Sequence, residues 1–211
     1  SVGDKQNDIG LDTVDVNNFN AGILVANHLL SLGHRRIAYL STSLNSEHSA
    51  RVRRFEGLKA AIKQFGQTAK LSLYTAEVSS LTELNTLDIE HQTGYALAKR
   101  CMKETPDVTA MVAINDMVAY GVIDAIKESG ASIPEDYSVC GFDNIYPSSF
   151  AGVALTTVEH YILQGGKSAV RLLCEKMERQ QPRTLEQGAV TRVEYQNRLV
   201  VRTSTGTPPV K

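Results

Sequence analysis

Polar residues gather in this chain directly after short apolar runs. Asn17 and Asn18 follow TVDV, the serines from Ser41 to Ser49 follow RRIAYL, Asn115 and Asp116 follow TAMVAI, and Asp143 and Asn144 follow YSVCGF. Arg54 falls one turn into the helical pattern that follows the serine-rich loop. Each amide or carboxylate taken alone suits a helix cap, worth about 1 kcal/mol, and Asp116 fits the N-cap of a helix that starts at Met117. Taken together, carboxylates and amides with one guanidinium suit a neutral polyhydroxylated or heterocyclic ligand held by oriented hydrogen bonds.

Catalytic chemistry finds less support. The serines at 41, 43, 46, 49, 148 and 149 lie in no GxSxG elbow, and Gly165 and Gly166 sit inside a helical pattern rather than a phosphate loop. His28 falls on an apolar helix face, His34 follows a glycine stop where it can pair with local backbone, and His48, His91 and His160 have no visible partner. Acidic residues are scattered, so no general acid and base couple can be named. Cys101, Cys140 and Cys174 are far apart and lack zinc-ligand spacing, which reads as buried free thiols in a reducing cytosol. No catalytic residue, cofactor or metal site is expected.

The elements that must position these residues alternate. Extended runs at 13–16, 35–41, 70–76, 109–115 and 137–142 are separated by helical patterns at 18–33, 50–66, 92–104 and 116–130. The first helix carries a stripe of Ala21, Leu24, Val25, His28, Leu29 and Leu32. Strands joined by helices of this length require crossovers, hence an α/β fold with a parallel sheet flanked by helices. In such sheets ligands sit outside the carboxyl ends of the strands, where the polar residues fall. Residues 155–160 read as extended and 161–179 as a long helix; AVTRVEYQ and RLVVRTS, separated by Asn197, form one bent strand or a tight hairpin. The closing TGTPPVK reads as a frayed tail.

With 22 basic and 23 acidic residues the chain has no electrostatic footprint for nucleic acid or an anionic membrane. No apolar run approaches a membrane span.

The ordered blocks VDVNNFNAGILVANHLLSLGHRRIAYLS, ARVRRFEGLKAAI, MVAINDMVAYGVIDAIKESGASIPEDYSVCGFDN, ALTTVEH and LVVRTSTG resemble the sugar- or nucleobase-sensing core of the bacterial LacI/GalR transcription regulators. The resemblance covers nearly the whole chain and is weakest over residues 67–91. It implies a two-lobe, periplasmic-binding-protein-like fold joined by three chain crossings, with the effector between the lobes. By this likeness residues 1–33 and 158–185 belong to an incomplete N-terminal lobe, 34–157 and 186–204 to the C-terminal lobe, and 205–211 to a tail. The DNA-binding headpiece and the first part of the N-terminal lobe are absent, so the chain reads as a fragment of a longer regulator.

The resemblance also implies roles. Asp143 accepts hydrogen bonds from the effector, Arg54, three residues before Gly57, holds a ligand hydroxyl or carboxylate, and Asn115 is the cleft residue of the ND pair. Ser49 belongs to the ligand-binding set as well. Asn17 stands where the family usually has Asp, and Ile89 where a ring-stacking aromatic is frequent. The first removes a charge from the N-terminal lobe's side; the predominance of polar residues in the set favours a sugar or sugar derivative ahead of a purine, which would want a stacking partner. The implied partners are operator DNA, through the absent headpiece, and a second copy of the chain, with Val118, Tyr120, Ile123 and Tyr146 as interface candidates. The expected function is the ligand-sensing and dimerisation core of a cytoplasmic transcriptional regulator, a repressor. The rival reading is a periplasmic sugar-binding protein for transport or chemotaxis; an enzyme on the same fold lacks a nameable nucleophile.

Overall fold

The computed structural model describes residues 11–44, 49–76, 87–150, 152, 154–178 and 190–209. The chain divides into two units, one of Ser1–Asn17 with His160–Asn197, the other of Asn18–Glu159 with Arg198–Lys211.

The larger unit is built as the alternation predicts. Helix α1 (Asn18–Ser31) leads to β2 (Arg36–Thr42), α2 (Ser49–Phe65), β3 (Lys70–Ala76), α3 (Leu87–Glu104), β4 (Ala110–Ala113), α4 (Asp116–Glu128), β5 (Ser138–Asp143) and β6 (Thr156–Glu159). The sheet order is β3-β2-β4-β5-β6-β8, parallel throughout except that β8 (Arg198–Val200) runs antiparallel to β6. The chain moves outward from β2 to β3 and then back across β2 to β4. With right-handed crossovers this reversal puts α2 on one face and α3 and α4 on the other. Accordingly α1 packs on α2, and α3 packs on α4.

Both helix pairs meet backbone to backbone, which requires glycine. A Cβ on Gly22 of α1 would lie 2.1 Å from the Arg54 carbonyl, and one on Gly121 of α4 would lie 1.9 Å from that of His91. The buried face of α1 is Ala21, Gly22, Val25, Ala26, Leu29 and Leu30, turned from the expected stripe so that Leu24, His28 and Leu32 are only half-buried. The core continues through Ile37, Tyr39 and Leu40 of β2, Met111 and Val112 of β4, and Val139 and Phe142 of β5.

The smaller unit contains β1 (Thr13–Val16), paired in parallel with β7 (Arg192–Tyr195), and α5 (Ile162–Glu178) packed on β1. Ser168 of α5 and Tyr195 of β7 join through their hydroxyls at 2.8 Å, and Lys176 pairs with Asp12. Among the described residues no helix is long and apolar enough to cross a membrane.

The two units divide after Asn17, Glu159 and Asn197, and α1 packs on α2 and against β6 and β8 of the large sheet. Two expectations are corrected. The last two strands are neither one bent strand nor a hairpin: β7 joins the small sheet and β8 the large one, with only two residues between them. The tail is tied down over its described part. The Gly206 carbonyl lies 2.9 Å from His34 Nε2, Thr205 Oγ1 lies 2.9 Å from His28 Nε2, and Ser204 is fully buried. His34 thus pairs with remote rather than local groups, also meeting Thr109 and Ser138.

Candidate functional site

Because β2, β4, β5 and β6 run in parallel, their carboxyl ends share one edge of the large sheet. Asp143 is the last residue of β5, and Arg54 reaches it from the second turn of α2 with 3.6 Å between Nη2 and Oδ1. At that spacing the two form an ion pair rather than a hydrogen bond. The Arg54 side chain is 11% exposed and that of Asp143 28%.

Arg54 is held in place on several sides. Its Nε donates to Asn18 Oδ1 at 3.0 Å, its Nη1 donates to the Ile114 carbonyl, and its guanidinium lies 4.8 Å from the centre of the Phe142 ring. The contact of α1 with α2 over Gly22 is what brings Asn18 alongside. A guanidinium fixed on a ring face and two acceptors has little rotamer entropy left to lose when a ligand arrives.

Asn115 follows β4 and works for its own helix: its Oδ1 accepts from Val118 N at 2.9 Å, capping α4, while Nδ2 donates to Glu90 Oε1 at 2.8 Å. Asp116 therefore does not cap α4 as expected. It is fully buried, and its Oδ1 accepts from Thr157 Oγ1 at 2.6 Å while Oδ2 accepts from Ser148 Oγ at 2.6 Å and Ile145 N at 3.0 Å. Burial pushes this carboxyl up to about 6 despite the opposing hydrogen bonds, with Asp143 adding a smaller push in the same direction.

The turn after β5 is strained. Asp143 has φ 109° and Asn144 φ 50°, two successive side-chain-bearing residues in the left-handed region. Asn144 is satisfied within the fold, since its N–H donates to Thr157 Oγ1 at 3.3 Å and its Oδ1 accepts from Arg202 Nη2 at 2.6 Å.

Of the remaining expected site residues, Ile89 is half-buried in the first turn of α3, and Ser49 opens α2 with its side chain outside the described residues. Asn17 belongs to the smaller unit, where its Nδ2 donates to Glu194 Oε1 at 3.2 Å and its carbonyl accepts from Asn197. Among the interface candidates, Val118 and Ile123 are buried in the hydrophobic core. Tyr120 donates to Ser148 Oγ at 3.0 Å, and Tyr146 is 81% exposed. Sequence reasoning missed Phe142 beneath Arg54, the use of Glu90 by Asn115 and the buried role of Asp116. The first had a signal, an aromatic directly before the aspartate; the others join residues too distant in sequence to be paired by eye.

The model for the periplasmic binding protein-like domain matches residues 26–205. The chain belongs to the periplasmic binding protein-like domain family. Relatives and solved structures within it include transcriptional regulators, in agreement with the LacI/GalR resemblance. The chain is 32% identical over 166 residues to the HTH-type transcriptional repressor PurR of Haemophilus influenzae, a stretch that is 79% of this chain and 46% of that protein. It is 28% identical over 201 residues to the HTH-type transcriptional regulator YvdE of Bacillus subtilis, 95% of this chain and 57% of that one. The chain therefore spans about half the length of the curated relatives it matches. Among solved structures, a LacI family transcriptional regulator of Enterococcus faecium with bound ribose superposes with a TM-score of 0.80 at 28% identity, over 98% of this chain and 69% of that one. A LacI-family regulatory protein of Corynebacterium glutamicum gives 0.78 at 26% identity, over 97% and 70%. The fold class is thereby the expected one, an α/β fold of mostly parallel sheets flanked by helices.

Proposed function

We propose that this chain is the ligand-sensing core of a cytoplasmic, DNA-binding transcriptional repressor, and that its effector is a sugar or sugar derivative. The observation that carries the reading is the Arg54–Asp143 pair at the carboxyl edge of the large sheet, an immobilised donor beside an acceptor. A sugar hydroxyl both donates and accepts, so one hydroxyl can answer both groups at once. Asn115 lines the same edge, with Ser49 and Ile89 in the helices of the same unit. The two units are the N-terminal and C-terminal lobes in this reading, and effector binding acts by its differential affinity for two arrangements of the regulator. Operator DNA would be met by a headpiece outside this chain, in a dimer whose two-fold symmetry suits paired half-sites. The relatives favour a regulator over a periplasmic transport protein, and the site is read as one of binding, without catalysis.

A thermal-shift screen of the chain against pentoses, hexoses, disaccharides, sugar phosphates and purine nucleobases tests the proposal. A ligand at a hundred times its Kd adds about 2.7 kcal/mol to native stability, a shift of several degrees. The expected result is a shift with a sugar that vanishes in Asp143→Ala and in Arg54→Ala. A shift that survives both substitutions, or one confined to nucleobases, overturns the site or the effector class respectively.

A further inference from the structure

We propose that Asp116 is a positioning residue for this site: its carboxylate fixes the backbone turn that presents Asp143. The inference rests on the reading of Asp143 as an effector ligand.

The turn needs an external hold. Two consecutive non-glycine residues with positive φ are strained and persist only where their surroundings enforce them. The next backbone N–H, that of Ile145, ends on Asp116 Oδ2. The same oxygen accepts from Ser148 in the 3-10 turn Tyr146–Ser149, so one carboxylate oxygen pins the chain at both sides of the bend. The other oxygen takes the Thr157 hydroxyl, and Thr157 Oγ1 in turn accepts the Asn144 N–H. Both peptide groups that follow Asp143 are therefore anchored to Asp116, one directly and one through Thr157.

The room for this carboxylate is provided in the sheet. Gly141 lies opposite Thr157 in the β5–β6 register, and a Cβ there would lie 2.4 Å from Asp116 Oδ1. Asp116 is not needed by its own helix, which Asn115 caps. A buried carboxylate is costly, so its full complement of donors in the turn and β6 marks that turn as what it serves. The groups facing it are Asp143 at the end of β5, Tyr120 through Ser148, and Arg202 beyond Asn144. Tyr120 is raised above 10 by burial and does not titrate near neutrality.

The test uses the isotopically labelled full chain, with the Asn144 and Ile145 amides followed by NMR and D-ribose as the binding probe. In the wild type both amide resonances are expected to titrate with one midpoint near pH 6. The titration is absent in Asp116→Asn and retained in Asp143→Asn. In Asp116→Ala, hydrogen exchange at Ile145 quickens at least about tenfold while Met111 in β4 is unchanged, and ribose affinity falls about tenfold. Asp116→Asn, which keeps an acceptor for Ile145, recovers most of that affinity. Should Asp116→Ala not fold, Ser148→Ala serves: deleting one donor moves the titration midpoint upward. Amides that do not titrate, Ile145 protection that survives Asp116→Ala, or ribose affinity unchanged in that variant while Asp143→Ala abolishes it each overturn the proposal. If ribose fails to bind the wild type, or binds Asp143→Ala equally well, the effector reading fails instead, and the exchange and titration results alone decide whether Asp116 holds the turn.

Discussion

Substituting Gly141 by alanine perturbs the support of the site without touching its surface. Gly141 sits in ordinary strand backbone, so alanine adds no conformational strain, and only the new methyl group matters. That methyl would lie 2.4 Å from Asp116 Oδ1 and 3.1 Å from Leu155 Cδ2. The carboxylate must retreat by about 1 Å to reach ordinary contact, which breaks the bond from Thr157, worth about 1.5–3 kcal/mol as a hydrogen bond to a charged group. Overpacking against Leu155 adds about 1–3 kcal/mol, giving a total of about 2.5–6 kcal/mol. Urea unfolding followed by far-UV circular dichroism and tyrosine fluorescence measures it, the chain having eight Tyr and no Trp. The decisive comparison is a double-mutant cycle: with Asp116→Ala in the background the carboxylate is gone, and Gly141→Ala should then cost only the overpacking part, about 1–3 kcal/mol. An equal penalty in both backgrounds would refute the contact as its cause.

Three further outcomes are expected. His34 is held below its ordinary pKa by burial, so its neutral form is favoured in the fold; its contribution is full above about pH 6.5 and is lost as pH falls through the depressed value. His34→Gln should therefore remove part of the acid-side slope in stability measured between pH 7 and 5, and an unchanged slope would contradict this. Arg54→Met, which leaves the Ile114 carbonyl and Asn18 Oδ1 without their donor, should lower stability by about 3 kcal/mol and abolish effector binding; a stability loss without loss of binding would remove Arg54 from the site. In a thiol titration of the native chain Cys174, exposed on α5, should react at once, whereas Cys101 and Cys140 should wait for denaturant because burial raises both thiols.

Much of the large unit is legible in the sequence because its signals are local. Each strand is a short apolar run, each helix a periodic stretch, and their alternation forces parallel crossovers. The site is legible to a lesser degree. Asp143 and Arg54 stand out as polar residues near strand ends, but only the family resemblance joined them, 89 residues apart, and the structure brings them into contact. From the sequence Asp116 reads as a cap, because a cap is the local expectation after a strand. Its partners Ser148 and Thr157 lie 32 and 41 residues away, and no periodicity links them. The end of the chain is hard to read from local signals for a similar reason. Two residues between β7 and β8 look like a hairpin, yet they carry the chain from one sheet to the other, and the polar tail is fixed by His28 and His34 near the first helix.

The most direct measurement of the central claim is a crystal structure of the chain grown with the sugar that gives the largest thermal shift. A sugar hydroxyl is expected within hydrogen-bond distance of both the Asp143 carboxylate and the Arg54 guanidinium, with the turn at Asp143–Asn144 unchanged. A sugar bound elsewhere, making no contact with Arg54 or Asp143, would contradict the reading.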